Sequence, residues 1–119
     1  MALEPTVAAE VEATVRDYFE GWYDADPDRM ARALHPALAK RTKEDGPDVR
    51  STTRDSMIEG TAAGEGRLAG IDRALEIAVV DAHRGIATVV VRSAVYREYL
   101  HLVETDEGWR IVNALWAYT

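Results

Sequence analysis

The chain has 119 residues, which is the length of one domain. Its composition, 47% hydrophobic and 29% charged residues, is that of a globular protein and excludes a disordered or fibrous chain. The absence of cysteine excludes disulfides and thiolate chemistry, and the net charge of −7 argues against nucleic acid as a partner.

Three helices are predicted in the first half of the chain. From Pro5 to about Tyr23, apolar residues recur at spacings of three and four, which predicts a helix with one buried stripe. A second, short helix is expected to begin after Asp26 as N-cap and to be stopped by Pro36. Residues 37–50 are expected to form a short edge strand and an exposed turn. The third helix follows a sequence that resembles a capping box, Thr52-Thr53-Arg54-Asp55.

The second half of the chain is predicted to form strands. β-branched residues are frequent in four runs, which cover residues 74–81, 86–95, 98–104 and 109–118. The connections between these runs are short, so an antiparallel meander is expected. Helices followed by strands indicate the α+β class.

The last strand has apolar side chains on both of its faces. Simple alternation puts Trp109, Ile111, Asn113 and Leu115 on one face and Arg110, Val112, Ala114, Trp116 and Tyr118 on the other. Because a chain of this size has enough helix to cover only one face, the second face is expected to meet another subunit. The pattern therefore predicts a homodimer through the sheet face.

The order of elements and motifs resembles the nuclear transport factor 2-like superfamily, and within it most closely the lumazine-binding branch. The matching motifs are Tyr18-Phe19-x-Gly21 with Asp26 four residues after Trp22, Leu34-His35-Pro36, Tyr99-Leu100-x-Leu102, and Gly108-Trp109-Arg110-Ile111-Val112-Asn113. The resemblance implies one domain over residues 1–119, with a cone-shaped, curved antiparallel sheet wrapped around a long N-terminal helix and two further helices. It also implies an apolar pocket at the wide end of the cone.

The superfamily includes several enzyme classes and non-catalytic binding domains, so the chemistry has to be tested residue by residue. Tyr18 matches the oxyanion-binding tyrosine of ketosteroid isomerase-like members, but a gap-free alignment puts Leu100 at the acid and Thr42 near the general base. A shift of a few residues would bring Glu44, Asp45 or Glu98 to those positions. An epoxide-hydrolase arrangement lacks its carboxylate, because residues 109–119 contain none.

Several candidates also have ordinary structural roles. Tyr18 is either a core aromatic residue or a hydrogen-bond donor in the pocket. His35 either caps a helix C-terminus or acts as an acid and base. Arg92 either pairs with Glu76 or Glu98 across the sheet or contacts a ligand, and Asn113 is a structural or a ligand-binding amide.

The sequence therefore predicts a protein that binds a small organic molecule in a largely apolar pocket, with acid–base catalysis of the isomerase, dehydratase or cyclase type. The expected catalytic residues are Tyr18 and His35, and the expected ligand-binding residues are Trp22, Arg92, Leu100, Asn113 and Trp116. No metal or cofactor is expected. The alternative is a non-catalytic ligand-binding or protein-interaction module. With neither a membrane span nor a leader pattern at the N-terminus, a cytoplasmic location is expected.

Overall fold

A computed structural model describes residues 3–119 of the protein. This part of the chain forms three helices and six strands. In chain order they are α1 (Pro5–Asp24), α2 (Pro27–Ala33), β1 (Leu34–Thr42), β2 (Arg50–Thr52), α3 (Arg54–Ala62), β3 (Glu76–His83), β4 (Ile86–Arg92), β5 (Tyr96–Thr105) and β6 (Gly108–Tyr118). The predicted α+β class, with a long first helix and two further helices, is confirmed.

The six strands form one curved, unclosed sheet in the order β2-β1-β6-β5-β4-β3. Strands β3 to β6 pair in sequence as antiparallel neighbours, which confirms the predicted meander. The expectation of a wholly antiparallel sheet is wrong, because β1 runs parallel to β6. A parallel pair needs a long connection, and the rest of the chain between these two strands supplies it.

Helix α1 begins with Pro5 in its first turn and ends at Asp24, and the C-cap Ala25 adopts the left-handed conformation with φ 53°. The next residue, Asp26, donates its backbone N–H to the Gly21 carbonyl over 2.9 Å and caps the start of α2 with its carboxylate. A Cβ on Gly21 would lie 3.1 Å from the Cβ of Arg29. The small residue therefore allows α2 to pack closely against the end of α1.

The segment after α2 differs from the sequence prediction. Helix α2 ends at Ala33, before Pro36, and the nine residues of β1 follow at once. Strand β1 lies inside the sheet between β2 and β6, and the short strand β2 forms the edge on that side. Leu38, Lys40 and Thr42 are consequently buried on one face of β1. The local charge density of this segment had indicated exposure, but strand alternation decides which of its side chains are buried.

A β-bulge in β6 changes which residues face the helices. His101 pairs with Asn113 and Leu102 pairs with Ile111, so Val112 is an extra residue between them. Trp109 and Ile111 are buried before the bulge and Ala114 is buried after it, although their numbers differ in parity. The simple alternation expected for the last strand is therefore wrong beyond Ile111.

The core lies between α1 and the inner face of the sheet. Val11, Val15 and Phe19 of α1 are almost completely buried, as are Leu102 and Ile111 of the sheet. Partly buried apolar residues, among them Val7, Trp22 and Tyr96, pack against this core.

Candidate functional site: a buried lysine–tyrosine–glutamate chain in a cavity

A cavity of about 240 Å³ lies between α1, α3 and the inner face of the sheet. Its aromatic wall consists of Phe19, Trp22, Tyr96, Trp116 and Tyr118. Its polar end is formed by side chains from three different elements, Tyr18 of α1, Lys40 of β1 and Glu98 of β5. The cavity therefore combines aromatic side chains with a small group of ionisable side chains.

The three polar side chains form a continuous hydrogen-bonded chain. Lys40 Nζ donates to the Tyr18 hydroxyl over 2.5 Å, and that hydroxyl donates to Glu98 Oε1 over 2.8 Å. Tyr18 is 2% exposed, Glu98 3% and Lys40 9%. We refer to this arrangement as the Lys40–Tyr18–Glu98 chain. It keeps a cation and an anion inside the protein with one hydroxyl between them.

Strand geometry explains how these residues meet. Lys40 pairs with Ala114 and Glu98 pairs with Trp116, so both charged residues lie beside the part of β6 that follows the bulge. Alternation along β5 puts Glu98 on the same face as the buried residues Leu100 and Leu102. Tyr18 of α1 lies between the two charged residues and links them through its hydroxyl.

Burial is the main cause of the electrostatic shifts at this site. It raises the pKa of Glu98, while Lys40 and the Tyr18 hydrogen bond act in the opposite direction. It lowers the pKa of Lys40, against the attraction of Glu98. It also raises the pKa of Tyr18 well above the ordinary value, and Glu98 adds to that rise. Tyr18 is thus a neutral hydroxyl, and the pKa values of Lys40 and Glu98 are displaced toward each other.

The aromatic wall is held by its own contacts. Trp22 Nε1 donates to the Tyr96 hydroxyl over 3.1 Å, and the rings of Tyr96 and Tyr118 stack at 5.9 Å. Trp116 meets the Tyr96 ring edge-on at 5.8 Å. A Cβ on Gly66 would lie only 2.3 Å from the Trp22 carbonyl oxygen. The absence of a side chain at Gly66 therefore allows the turn after α3 to press directly on Trp22.

The mouth of the cavity carries further charge. Arg50 of β2 lines it with a half-exposed side chain, and Glu65 lies on the opposite rim beside Gly60. The hydroxyl residues Thr52 and Ser56 complete this rim. A molecule entering the cavity would pass these polar groups before it reached the buried chain.

The structure brings together three of the residues expected at the site. Tyr18, Trp22 and Trp116 line the cavity. His35 does not line it, and its Nδ1 accepts a hydrogen bond from the Ala37 backbone N–H over 2.9 Å. Because α2 already ends at Ala33, His35 does not cap that helix either. The hydrogen-bond partners of Tyr18 are Lys40 and Glu98, and His35 is not among them.

Three more expected ligand-binding residues lie outside the cavity lining. Leu100 is fully buried in the apolar core. Arg92 is directed to Glu76 across the sheet, with 3.7 Å between its Nη1 and the carboxylate, which is the structural alternative that the sequence allowed. Asn113 lies on the outer face of the sheet, where its Nδ2 is 3.2 Å from His101 Nδ1. The bulge at Val112 is the reason that Trp116, and not Asn113, faces the cavity.

Sequence reasoning missed Lys40, Tyr96 and Arg50 as site residues, and it reached Glu98 only as one of three alternatives. Two of these residues, Lys40 and Glu98, lie in a pattern of buried residues with a period of two. Lys40 stands between Leu38 and Thr42, and Glu98 precedes Leu100 and Leu102 at the same spacing. Such a pattern indicates a charged residue on a buried strand face.

Within residues 3–119, no group of three or more histidine, aspartate or glutamate side chains is arranged to hold a metal ion. The helices of the same part of the chain are all too short or too polar to cross a membrane.

Comparison with solved structures defines the class of protein. A nuclear transport factor 2-like protein of unknown function from Silicibacter pomeroyi superimposes with a TM-score of 0.80 at 18% identity, over 94% of this chain and 95% of that one. One from Methylobacillus flagellatus gives 0.76 at 13% identity, over 98% and 95%. A ketosteroid isomerase-like protein from Erwinia carotovora gives 0.66 at 19% identity, over 92% and 94%. The fold is therefore nuclear transport factor 2-like.

The family follows from the sequence model that the chain matches. Residues 6–117 match the family described as "Putative lumazine-binding", and the chain belongs to that family. The predicted resemblance to this branch is thus confirmed. No curated protein matches the chain.

Proposed function

We propose that this protein binds a small organic molecule that has a flat apolar body and an oxygen-bearing polar group. The observation that carries the proposal is the Lys40–Tyr18–Glu98 chain at the end of an aromatic cavity. Moving a charged group from water into a protein interior costs on the order of several kcal/mol unless partners replace the lost hydration. In a purely structural core, apolar residues would avoid this desolvation cost.

The polar end has hydrogen-bonding capacity left for a ligand. A lysine ammonium carries three N–H donors, and the described residues accept one hydrogen bond from Lys40 Nζ, at Tyr18. A carbonyl or carboxylate oxygen of a ligand would accept another. The Trp22, Tyr96 and Trp116 rings would pack against a planar ring system. The volume of about 240 Å³ suits a molecule of one or two fused rings.

Tryptophan fluorescence tests this proposal, because Trp22 and Trp116 both line the cavity. The probe is 1-naphthoate, which has two fused rings and a carboxylate. We expect saturable quenching, and we expect Lys40→Met to weaken the affinity at least tenfold. Lys43→Met is the matched control, since this substitution removes the same charge from an exposed position. Equal affinity of the Lys40→Met variant and the wild type would refute the proposal.

A second candidate function is proton transfer on an enolisable carbonyl compound. Its support is the pair of ionisable groups, Lys40 and Glu98, whose pKa values burial displaces toward each other across Tyr18. Ionisable groups whose pKa values are displaced by burial in a cavity are candidates for general acid and base roles. In this proposal Tyr18 links the two ionisable groups through its hydroxyl.

Exchange of the α-protons of 2-tetralone for deuterium, followed by NMR, measures this activity. We expect the wild type to accelerate exchange and Glu98→Gln to lose most of the acceleration. Binding of 1-naphthoate without any accelerated exchange would favour the non-catalytic ligand-binding module instead.

We also propose that the protein forms a homodimer through the outer face of its sheet. Tyr99 and Leu115 are paired neighbours on that face and are about half exposed, and Ile86 is 58% exposed. An apolar surface of this kind favours association between copies. Light scattering should give the mass of a dimer, and Leu115→Glu should reduce it to that of a monomer. A monomeric wild type at micromolar concentration would contradict this proposal.

A further inference from the structure

We propose that Lys40 is a nucleophilic amine that condenses reversibly with an aldehyde or ketone in the cavity to form a Schiff base. The inference rests on the proposed function, because the carbonyl compound has to enter the same cavity. It goes further by giving Lys40 covalent chemistry and by naming carbonyl compounds as the class of ligand.

The first support is the position of the amine. Lys40 Nζ lies at the cavity surface, 5.5 Å from the centre of the Trp116 ring, and its hydrogen bond goes to Tyr18. No carboxylate lies within ion-pairing distance of this nitrogen among the residues that the structure describes. A ligand carbon could therefore approach the nitrogen from the cavity side without displacing a salt bridge.

The second support is a path by which the ammonium group can lose its proton. Lys40 donates to the Tyr18 hydroxyl, which in turn donates to Glu98. If the proton of Lys40 moves to Tyr18 while that of Tyr18 moves to Glu98, a neutral amine and a neutral carboxylic acid result. Both hydrogen bonds persist with their directions reversed. The transfer removes two buried charges and keeps both hydrogen bonds of the Lys40–Tyr18–Glu98 chain.

Burial favours this neutral form. In water an amine holds its proton far more strongly than a carboxylate does. Here desolvation lowers the pKa of Lys40 and raises that of Glu98, so the free-energy difference between the charged and neutral forms becomes smaller. Desolvation is one of the ways in which proteins activate a lysine that forms Schiff bases.

The reaction balances within the site. The amine turns its lone pair from Tyr18 to the carbonyl carbon, a C–N bond forms, and the carbonyl oxygen receives the Tyr18 proton while Glu98 passes its own proton to Tyr18. The carbinolamine then loses its hydroxyl group as water together with a proton from its own nitrogen, which leaves a protonated C=N bond and the Glu98 carboxylate. The net change is the condensation of one amine and one carbonyl group with release of one water, and no oxidant or reductant is needed.

Reductive trapping of the wild-type protein tests the inference. The protein is incubated at pH 7 with benzaldehyde and sodium cyanoborohydride, which reduces an iminium ion to a stable secondary amine, and the modified peptides are mapped by mass spectrometry. The chain has two lysines, and Lys43 is exposed, so it reports ordinary surface reactivity. We expect Lys40 to be labelled at least tenfold faster than Lys43. Lys40→Arg should remove the fast label, and Lys43→Arg should keep it.

Labelling of Lys43 as fast as or faster than Lys40 would overturn the inference. Labelling of Lys40 that excess 1-naphthoate does not slow would also overturn it, since the reaction would then not need the cavity. The fluorescence titration with 1-naphthoate separates the two proposals, because this probe has no electrophilic aldehyde or ketone. If 1-naphthoate binds while Lys40 stays unlabelled, only the Schiff-base inference fails, whereas loss of both results removes the proposed function as well.

Discussion

Replacing Lys40 by methionine should make the stability of the protein depend steeply on pH. Methionine has a similar length and no charge, so the variant would leave Glu98 buried with Tyr18 as its remaining partner. An unpaired buried carboxylate is costly, and Glu98 would become protonated to avoid that cost. The variant therefore isolates the electrostatic contribution of the amine.

The size of the effect follows from the cost of holding that proton. A carboxyl group in the unfolded chain has a pKa of about 4.3, and each pH unit above it corresponds to about 1.4 kcal/mol. Keeping Glu98 protonated at pH 7 thus costs at most about 3.7 kcal/mol, and at pH 5 about 1 kcal/mol.

The sign is fixed by which state binds more protons. The folded variant holds a proton on Glu98, whereas the unfolded chain releases that proton above about pH 4.3. The stability of the variant therefore falls as the pH rises above about 4.3. In the wild type Lys40 opposes the rise in the pKa of Glu98, so its dependence should be smaller.

Urea denaturation at pH 5 and pH 7 measures this difference. Lys43→Met is the control for loss of one positive charge, and it should change stability equally at both pH values. The double variant Lys40→Met with Glu98→Leu should recover most of the loss at pH 7, because apolar groups can replace a buried ion pair at little cost. The reasoning would be refuted if Lys40→Met lowered the free energy of unfolding by the same amount at pH 5 and at pH 7.

Three further predictions concern the frame of the site. Gly66→Ala should lower the free energy of unfolding by about 1–3 kcal/mol, because the new methyl group meets Trp22, whereas Gly46→Ala should change it little, since nothing lies within 4 Å. Ile111→Ala should cost about 2–5 kcal/mol in chemical denaturation because its side chain is fully buried, and a cost below about 1 kcal/mol would contradict the core described above. His35→Ala should leave the affinity for 1-naphthoate within twofold of the wild type, since its ring does not line the cavity, and a tenfold loss would restore the role expected from the sequence.

Local patterns in the sequence predicted much of the fold. The spacing of apolar residues indicated α1, and its observed span Pro5–Asp24 agrees with the prediction from Pro5 to about Tyr23. Short connections indicated the meander of β3 to β6, and the ordered motifs indicated the family. These features depend on residues close together in the chain, so periodicity, capping residues and turn lengths are sufficient to indicate them.

The site could be predicted only in part. Tyr18, Trp22 and Trp116 belonged to the expected set and line the cavity, and for Tyr18 and Trp22 the helical stripe already indicated the orientation. Lys40 was assigned to an exposed segment, since its charged neighbours resemble a surface turn. Asn113 was assigned to the pocket together with Trp116, which simple alternation allows only if a bulge intervenes, and the bulge at Val112 turns Trp116 alone toward the cavity.

The sequence by itself determined the three helices, the four-stranded meander and the family, because each depends on short-range patterns or on motifs read in order. The tertiary structure alone decided that Lys40, Tyr18 and Glu98 meet. Tyr18 lies 22 residues before Lys40 and 80 residues before Glu98, and no local pattern relates positions so far apart. Their contact depends on the parallel pairing of β1 with β6 and on the extra residue in β6, and both arise when distant strands bury their apolar faces against α1.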